Sequence, residues 1–371
     1  MMDREEFGAW LRLLETPAVG RESARALLAR FGSAQEAIEA SVDARQQVVG
    51  PAPARALATT PPEFAARHDA AWQWLQASDS PTETRDVIAI GDPRYPLALL
   101  ETADPPLLLY VRGRIELLST PALAVVGSRN PTAQGLENAR AFAAHLAGAG
   151  WTIVSGLALG IDGAAHEGAI EAGGPTIAVV GTGLDRVYPA GHRGLAQRIA
   201  AKGLLVSEFA IGTPALPPNF PIRNRIIAGL TRGTLVVEAA LNSGSLITAR
   251  MATEAGRDVF AIPGSIHSPQ SRGCHLLIKQ GAKLVDRAVD ILEELAPAAG
   301  ALTAPADEAA HAHTPNDPVL DALGYDPMSL DELIARTGRS AADLSARLLD
   351  LELEGRVART PGQQFQRIAR G

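Results

Sequence analysis

The chain has a single cysteine, Cys274, in 371 residues. That excludes an intrachain disulfide and a metal cluster built from cysteines. Lysine is nearly as scarce: Lys202, Lys279 and Lys283 are the only ones, so the 34 basic residues are almost all arginine. No apolar run approaches the roughly 20 residues that a membrane span needs. The first residues, MMDREEFGAW, place acids where a signal peptide needs a basic region and an apolar stretch. These absences predict a cytoplasmic protein without membrane contact. Several chemical signatures are missing too: no G-x-G-x-x-G, no phosphate loop ending in Gly-Lys-Ser/Thr, no G-x-S-x-G elbow and no H-E-x-x-H. A nicotinamide cofactor, a serine-hydrolase site and a zinc-protease site have no support, and neither a cofactor nor a metal is expected.

What is present is a globular composition, 46% apolar, with an acidic net charge of −7. The charge is uneven: residues 1–120 carry −5, residues 121–295 carry +2 and residues 296–371 carry −4. The middle segment alone is not acidic, and its arginines lie near turns rich in glycine and serine. A local basic groove is compatible with an acidic whole.

The pattern divides the chain. Residues 1–80 read as a helical domain of the sterile-alpha-motif or helix-hairpin-helix kind, with Ala24, Leu27, Leu28 and Phe31 on one face of a helix after Val19-Gly20. A poorer copy runs from Val48 to Leu57. Residues 81–120 hold short apolar runs broken by prolines and lead into the next domain. From Leu123 apolar runs alternate with helical stretches at 134–149, 162–172, 192–201, 220–230 and 246–256. Continuous apolar strands between helices predict a doubly wound, Rossmann-like parallel sheet, an α/β core within residues 81–295. Residues 296–316 are rich in alanine and proline and read as a linker. Residues 317–371 follow a winged-helix order, three helices and two short strands. The third helix, AADLSARLLDLELEG, carries four acids and one arginine, which favours protein contact over reading duplex DNA.

Ligands of such sheets bind beyond the carboxyl ends of the strands, so the residues after each apolar run are the candidates. The first run ends in Gly127-Ser128-Arg129, with glycine for a tight turn, a hydroxyl, and a guanidinium that forks onto phosphate. The second ends in Ser155-Gly156, followed by Asp162 where a helix N-cap is expected, and by His166, read as a structural histidine. The third ends in Gly181-Thr182-Gly183. The fourth ends in Ser207-Glu208, with a proline-rich loop, Phe220 as a candidate for stacking on a base, and Arg223-Asn224-Arg225 at a helix start. The fifth ends in Glu238, then Asn242-Ser243-Gly244-Ser245 opens a helix, where oriented N–H groups, hydroxyls and the helix dipole favour an anion. The whole reads as a holder of a phosphate-bearing ligand.

The stretches VGSRNPT, SGLALGIDGAAH, GTGLDRVYP, SEFAIGTPALPPNFPIRNRIIAGL, VVEAALNSGSLITARMA and GRDVFAIPG, in this order over about residues 85–295, resemble the DNA-processing protein A (DprA, or Smf) family. The resemblance implies a homodimeric protein with no established catalytic activity. Such a protein binds single-stranded DNA, protects incoming strands in natural transformation and loads the RecA recombinase onto them. It implies that Arg129 meets a DNA phosphate, that Phe220 lies near a base, that Arg223, Asn224 and Arg225 line the groove, and that Ser243, Gly244 and Ser245 touch the backbone. The loop before Phe220 holds prolines and no lysine, which departs from relatives that are basic there. A competing expectation is a nucleotide-processing N-glycosidase on a related fold, with Glu238 as its carboxylate, although the P-G-G-x-G-T turn of those enzymes is missing.

Overall fold

The computed structural model describes residues 2–77, 83–295, 317–325, 327–360 and 362–368. The expected linker at 296–316 lies outside the described residues. Helices come first: α1 (Arg4–Glu15), α2 (Arg21–Phe31), α3 (Ala34–Glu39), α4 (Val42–Val49), α5 (Pro51–Ala56) and α6 (Phe64–Gln76), then β1 (Arg85–Ala89), α7 (Leu97–Leu100) and β2 (Leu108–Gly113). The alternation follows as β3 (Ala122–Val126), α8 (Ala133–Gly148), β4 (Thr152–Ser155), α9 (Ile161–Glu171), β5 (Thr176–Val179), α10 (Arg193–Lys202), β6 (Leu204–Ser207), α11 (Asn219–Gly229), β7 (Gly233–Val236), α12 (Ser245–Glu254), β8 (Asp258–Ala261), α13 (Arg272–Lys279), β9 (Lys283–Leu284) and α14 (Ala288–Leu295). Last come α15 (Pro318–Leu323), β10 (Met328–Ser329), α16 (Leu330–Thr337), α17 (Ala341–Leu353), β11 (Val357–Thr360) and β12 (Gln364–Arg367).

The chain divides into two compact units. The first unit, Met1–Thr120 with Ile177–Ile226, holds the strand order β1-β2-β6-β5. Here β5 and β6 are parallel, while β2 runs antiparallel to β6 and β1 antiparallel to β2. The proline-broken segment therefore becomes an antiparallel edge. The second unit, Pro121–Thr176 with Ile227–Gly371, holds the order β4-β3-β7-β8-β9, all parallel.

The registers follow from burial. Every residue of β3, ALAVV, is buried, as expected of a strand covered on both faces. On one face Leu123 and Val125 join Ala139, Phe142, Ala143 and Leu146 of α8 and Ala164, Ala165 and Ala169 of α9 in one core. Small residues decide how closely α8 and α9 approach. A Cβ on Gly168 would fall 2.3 Å from the Arg140 carbonyl oxygen, so only hydrogen fits. His166, expected to be structural, is fully buried in α9. Its Nδ1 lies 2.7 Å from the Thr176 hydroxyl, which itself donates to the Ile153 carbonyl. The hydroxyl has one proton, so His166 supplies the other and carries its hydrogen on Nδ1.

The C-terminal helices and strands have a core of their own, with Val319, Leu320, Leu323, Leu333, Leu344, Leu348, Leu351, Val357 and Phe365. Their boundaries are set by local chemistry. Asp317 caps α15, Ser329 and Glu332 form a capping box on α16, left-handed Gly338 ends α16, and Ser340 caps α17.

Ala in place of Gly inside a helix ordinarily stabilises by about 1 kcal/mol. At Gly168 the backbone contact reverses the sign. Gly168→Ala is expected to destabilise by about 1–3 kcal/mol, as overpacking does, read as a lower urea midpoint. An unchanged or raised midpoint would show that α8 and α9 are not held at this distance.

Candidate nucleic-acid interface

In the second unit the chain leaves β3, places β4 on one side of it and later returns to place β7 on the other. This reversal is a topological switch point, and the loops that leave β3 and β7 diverge there to make a crevice. Val126 at the end of β3 pairs with Val236 at the end of β7, so the two loops start side by side.

The loop after β3 is pinned from below. A Cβ on Gly127 would lie 2.7 Å from Ile161 Cγ1 and 2.9 Å from the Glu238 carbonyl oxygen. Gly160 has φ +80° and would place a Cβ 2.4 Å from the Ser128 carbonyl oxygen and 2.9 Å from that of Arg129. The Ile161 N–H donates to the Ser128 carbonyl (3.1 Å), and the Ser128 hydroxyl accepts from the Asn130 N–H (3.1 Å). The hydroxyl of Ser128 is thus part of the turn, while Arg129 is exposed outside it. Gly160 is thus a close-approach residue whose partner is this turn.

The loop after β7 carries Asn242-Ser243-Gly244-Ser245. Asn242 and Gly244 are exposed, Ser243 is half-buried and Ser245 is buried. The Ser243 and Ser245 hydroxyls are 2.7 Å apart, the Ser243 hydroxyl also accepts from the Ser245 N–H (3.4 Å), and the Leu246 and Ile247 N–H groups donate to the Ser243 and Gly244 carbonyls (3.1 Å each). This is the arrangement of hydroxyls and helix start that suits an anionic oxygen. Glu238, at the root of the loop, has a different task. Its Oε2 accepts from the Thr132 N–H (2.9 Å) and its Oε1 from the Thr132 hydroxyl (2.6 Å), and Thr132 caps α8. Gly135 lies against the carboxylate, 2.4 Å from its Cδ for an added Cβ. Glu238 clamps the start of α8 through Thr132. The glycosidic chemistry proposed for Glu238 would have to use oxygens that the clamp occupies.

Other expected contacts are withdrawn into the fold. Ser155 is fully buried, and its hydroxyl donates to the Val125 carbonyl (2.7 Å). The Gly156 and Ala158 N–H groups both donate to Asp162 Oδ2 (3.1 and 3.2 Å). Asp162 is therefore not the N-cap of α9. Gly160 holds that position, and Asp162 closes the loop before it. The Ser155 hydroxyl and the Gly156 N–H are thus engaged within the fold.

In the first unit, the loop after β5 and the start of α11 meet. Asn219 Nδ2 donates to the Gly181 carbonyl (3.0 Å), and Phe220 packs over Gly181, 3.1 Å from where a Cβ would be. The Gly183 N–H donates to the Thr213 carbonyl (3.0 Å), and Asp185 accepts from the Gly212 N–H (2.8 Å), so Gly183 too is structural. The Tyr188 and Phe220 rings lie 5.4 Å apart, and Tyr188 is 53% exposed. Sequence reasoning missed Tyr188 as a partner of Phe220. The signal available was an aromatic residue close after the third strand-end turn.

The arginine pair is not a pair in space. Residues two apart on a helix point about 200° apart, so Arg223 and Arg225 face opposite ways. Arg223 is buried, donates through Nη1 to the Val179 carbonyl and through Nε to Asn224 Oδ1 (3.0 Å). It anchors α11 to β5, which corrects its expected place in the groove. Arg225 is held by Glu208 and by Asp104 (3.1 Å). Arg21 reaches the same two acids at 3.4 and 2.9 Å, and Arg25 reaches Asp104 at 2.5 Å, so three arginines of this unit share two carboxylates. Among the described residues no group of three or more His, Cys, Asp or Glu is placed to hold a metal, and no helix is long and apolar enough to cross a membrane.

Two stability outcomes follow. Arg225→Ala removes one of the three arginines, and the most buried, from the network around Glu208 and Asp104 and is expected to cost about 2 kcal/mol, whereas exposed Arg129→Ala is expected to stay within about 0.5 kcal/mol of wild type. Urea denaturation of the two variants checks this, and equal costs would break the distinction. Burial, opposed by the two Thr132 bonds, raises the Glu238 pKa above its ordinary 4.5. The folded state then binds this proton more tightly than the unfolded chain, and the stability it contributes is lost as pH rises through the raised pKa. Wild type should lose stability relative to Glu238→Gln across that rise, seen in midpoints measured from pH 4 upward, and parallel curves would refute it.

Comparison with known proteins agrees with this architecture. Residues 86–296 match the family profile of DNA recombination-mediator protein A, residues 4–60 that of the DprA-like N-terminal HHH domain, and residues 303–363 that of the DprA winged helix domain. The chain is 45% identical to Protein Smf of Escherichia coli over 275 residues, covering 72% of this chain and 74% of that one. It is 50% identical to DNA processing protein DprA of Streptococcus pneumoniae over 206 residues, 56% and 73% of the two chains. Among solved structures, that of S. pneumoniae DprA superposes with a TM-score of 0.68 at 38% identity, covering 79% of this chain and 98% of that one. The structure of Helicobacter pylori DNA processing protein A, described with its single-stranded DNA binding mode, superposes with a TM-score of 0.52 at 31% identity, covering 57% and 95%. An α/β sheet preceded by a helical domain and followed by a winged helix, with these matches along it, makes the chain a member of the DNA recombination-mediator protein A (DprA/Smf) family.

Proposed function

We propose that this protein binds single-stranded DNA over the strand ends and serves as a recombination mediator without catalysis of its own. In this reading it is a cytoplasmic homodimer that protects incoming strands in natural transformation and hands them to the RecA recombinase. The observation that carries the binding step is the pinned Gly127-Ser128-Arg129 turn, beside the serine-bearing turn that opens α12, at the switch point of the second unit. The H. pylori relative, described as binding single-stranded DNA, supports the same ligand.

The residues divide the work. Arg129 offers a forked guanidinium to one phosphate, and Asn242, Ser243, Gly244 and Ser245 offer hydroxyl, amide and backbone groups to another. Because these contacts are to phosphate, they carry little sequence preference. Phe220 and Tyr188 supply aromatic faces for unpaired bases, which every base can use and which a duplex keeps stacked inside. Asn224 stays in the proposal beside them. Arg225 contributes through the network that positions α11, and Gly181 by supporting the Phe220 ring.

Fluorescence anisotropy of labelled oligo-dT and of its duplex, across a salt series, tests the reading. Wild type is expected to prefer the single strand. Arg129→Ala should weaken binding and flatten the plot of log K against log salt by about 0.7, the loss of one phosphate contact on a single strand. Equal affinity for duplex, or an unchanged slope in the variant, would overturn it.

A further inference from the structure

β8 pairs with β7 as β7 pairs with β3, all parallel, so the loops leaving β3, β7 and β8 start side by side. The turn at Pro269–Ser271 and the head of α13 are stitched to both neighbouring loops. Gln270 Nε2 donates to the Asn130 carbonyl (3.1 Å), one residue from Arg129. The Ala239 N–H donates to the Gln270 carbonyl, and the Gly273 N–H donates to the Ala239 carbonyl, both at 2.7 Å. Gly273 allows this approach, since a Cβ there would lie 2.6 Å from the Ala239 carbonyl oxygen. Arg272 stands between these ties, fixed by Gln270 before it and Gly273 after it.

Charge singles out the same residue. Residues 127–132, 237–245 and 262–272 hold one carboxylate, Glu238, and both of its oxygens are engaged by Thr132. Their only arginines are Arg129 and Arg272, and both are exposed. Among the described residues no carboxylate pairs with Arg272. It is also the first residue of α13, whose first turn holds no acid. A cation there faces the positive end of the helix dipole, a placement that costs stability. Nothing within the fold offsets that cost, and a local rule broken without compensation points to a ligand. The basic stretch is bounded on its far side. After β9 come Asp286, Arg287 and Asp290, and there the arginine is held by Asp290 (3.0 Å) and Asp286 (3.7 Å).

We propose that Arg272 is a further phosphate contact, so that a single strand held at the switch point continues over the loop after β8. Its guanidinium forks onto a backbone phosphate beyond those met by Arg129 and the Asn242–Ser245 turn. The inference rests on strand-end binding of single-stranded DNA and extends that footprint toward β9.

Fluorescence anisotropy of labelled oligo-dT with the full chain, across a salt series, tests it. Arg272→Gln is expected to bind about tenfold more weakly at low salt, as for a lost hydrogen bond to a charged group. Its plot of log K against log salt should be shallower by about 0.7. Arg272→Lys, which keeps the charge, should keep the slope. Arg287→Gln removes the same charge from the acid-bounded loop and should leave affinity and slope unchanged. The urea midpoint of Arg272→Gln should equal or exceed that of wild type, because the cation opposes the helix dipole. A lower midpoint would make Arg272 a structural residue and overturn the proposal. An equal loss in Arg287→Gln would also overturn it, by reducing the effect to net charge. If Arg129→Ala weakens binding and Arg272→Gln does not, the proposal fails while strand-end binding stands. If neither variant responds, strand-end binding fails and the proposal with it.

Discussion

The close approach of Gly160 to the carbonyls of Ser128 and Arg129 is the constraint on which the candidate interface depends. No side chain fits there, so the loop entering α9 and the loop leaving β3 lie backbone against backbone. Gly127 extends the same contact to Ile161 and to the Glu238 carbonyl, and Glu238 in turn clamps Thr132 at the head of α8. The starts of α8 and α9 and the end of β7 are thereby fixed around one turn. Rigidity here has a use: a turn that is already ordered gives up little further entropy when it meets a flexible strand.

The first unit achieves order with charge rather than with close packing. Arg21 and Arg25 of α2, with Arg225 of α11, share Asp104 and Glu208. With three cations on two anions, the network keeps a surplus positive charge while fixing α11, and α11 is what carries Phe220 to Gly181. The helical domain is thus bound into the same network as the segment that sequence reasoning assigned to DNA. This explains how an arginine that reads as a ligand contact becomes a structural one without the segment losing its connection to the site.

Much of the architecture was legible because it follows from local rules. Continuous apolar runs became buried strands, glycines and prolines marked their ends, and the expected helices of the core agree within two residues at each boundary. The winged-helix pattern was read from the order of three helices and two short strands. The site was less legible, since its details depend on partners distant in sequence. Nothing near Arg225 announces Asp104, and nothing near Arg223 announces the Val179 carbonyl. The N–H groups of Gly156 and Gly183 are taken by Asp162 and Thr213, which the residues beside them do not announce. The exposure of Arg129, Asn242 and Gly244 follows from position alone: they come directly after the strands that flank the switch point.

The most direct test of the central claim is ultraviolet cross-linking of oligo-dT to the full chain, with the attached peptides mapped by mass spectrometry. The account predicts adducts in peptides containing Tyr188 or Phe220 and in those containing Arg129 or Asn242–Ser245. Adducts confined to residues 317–368, or to the N-terminal helices, would contradict it and move the DNA-binding surface away from the strand ends.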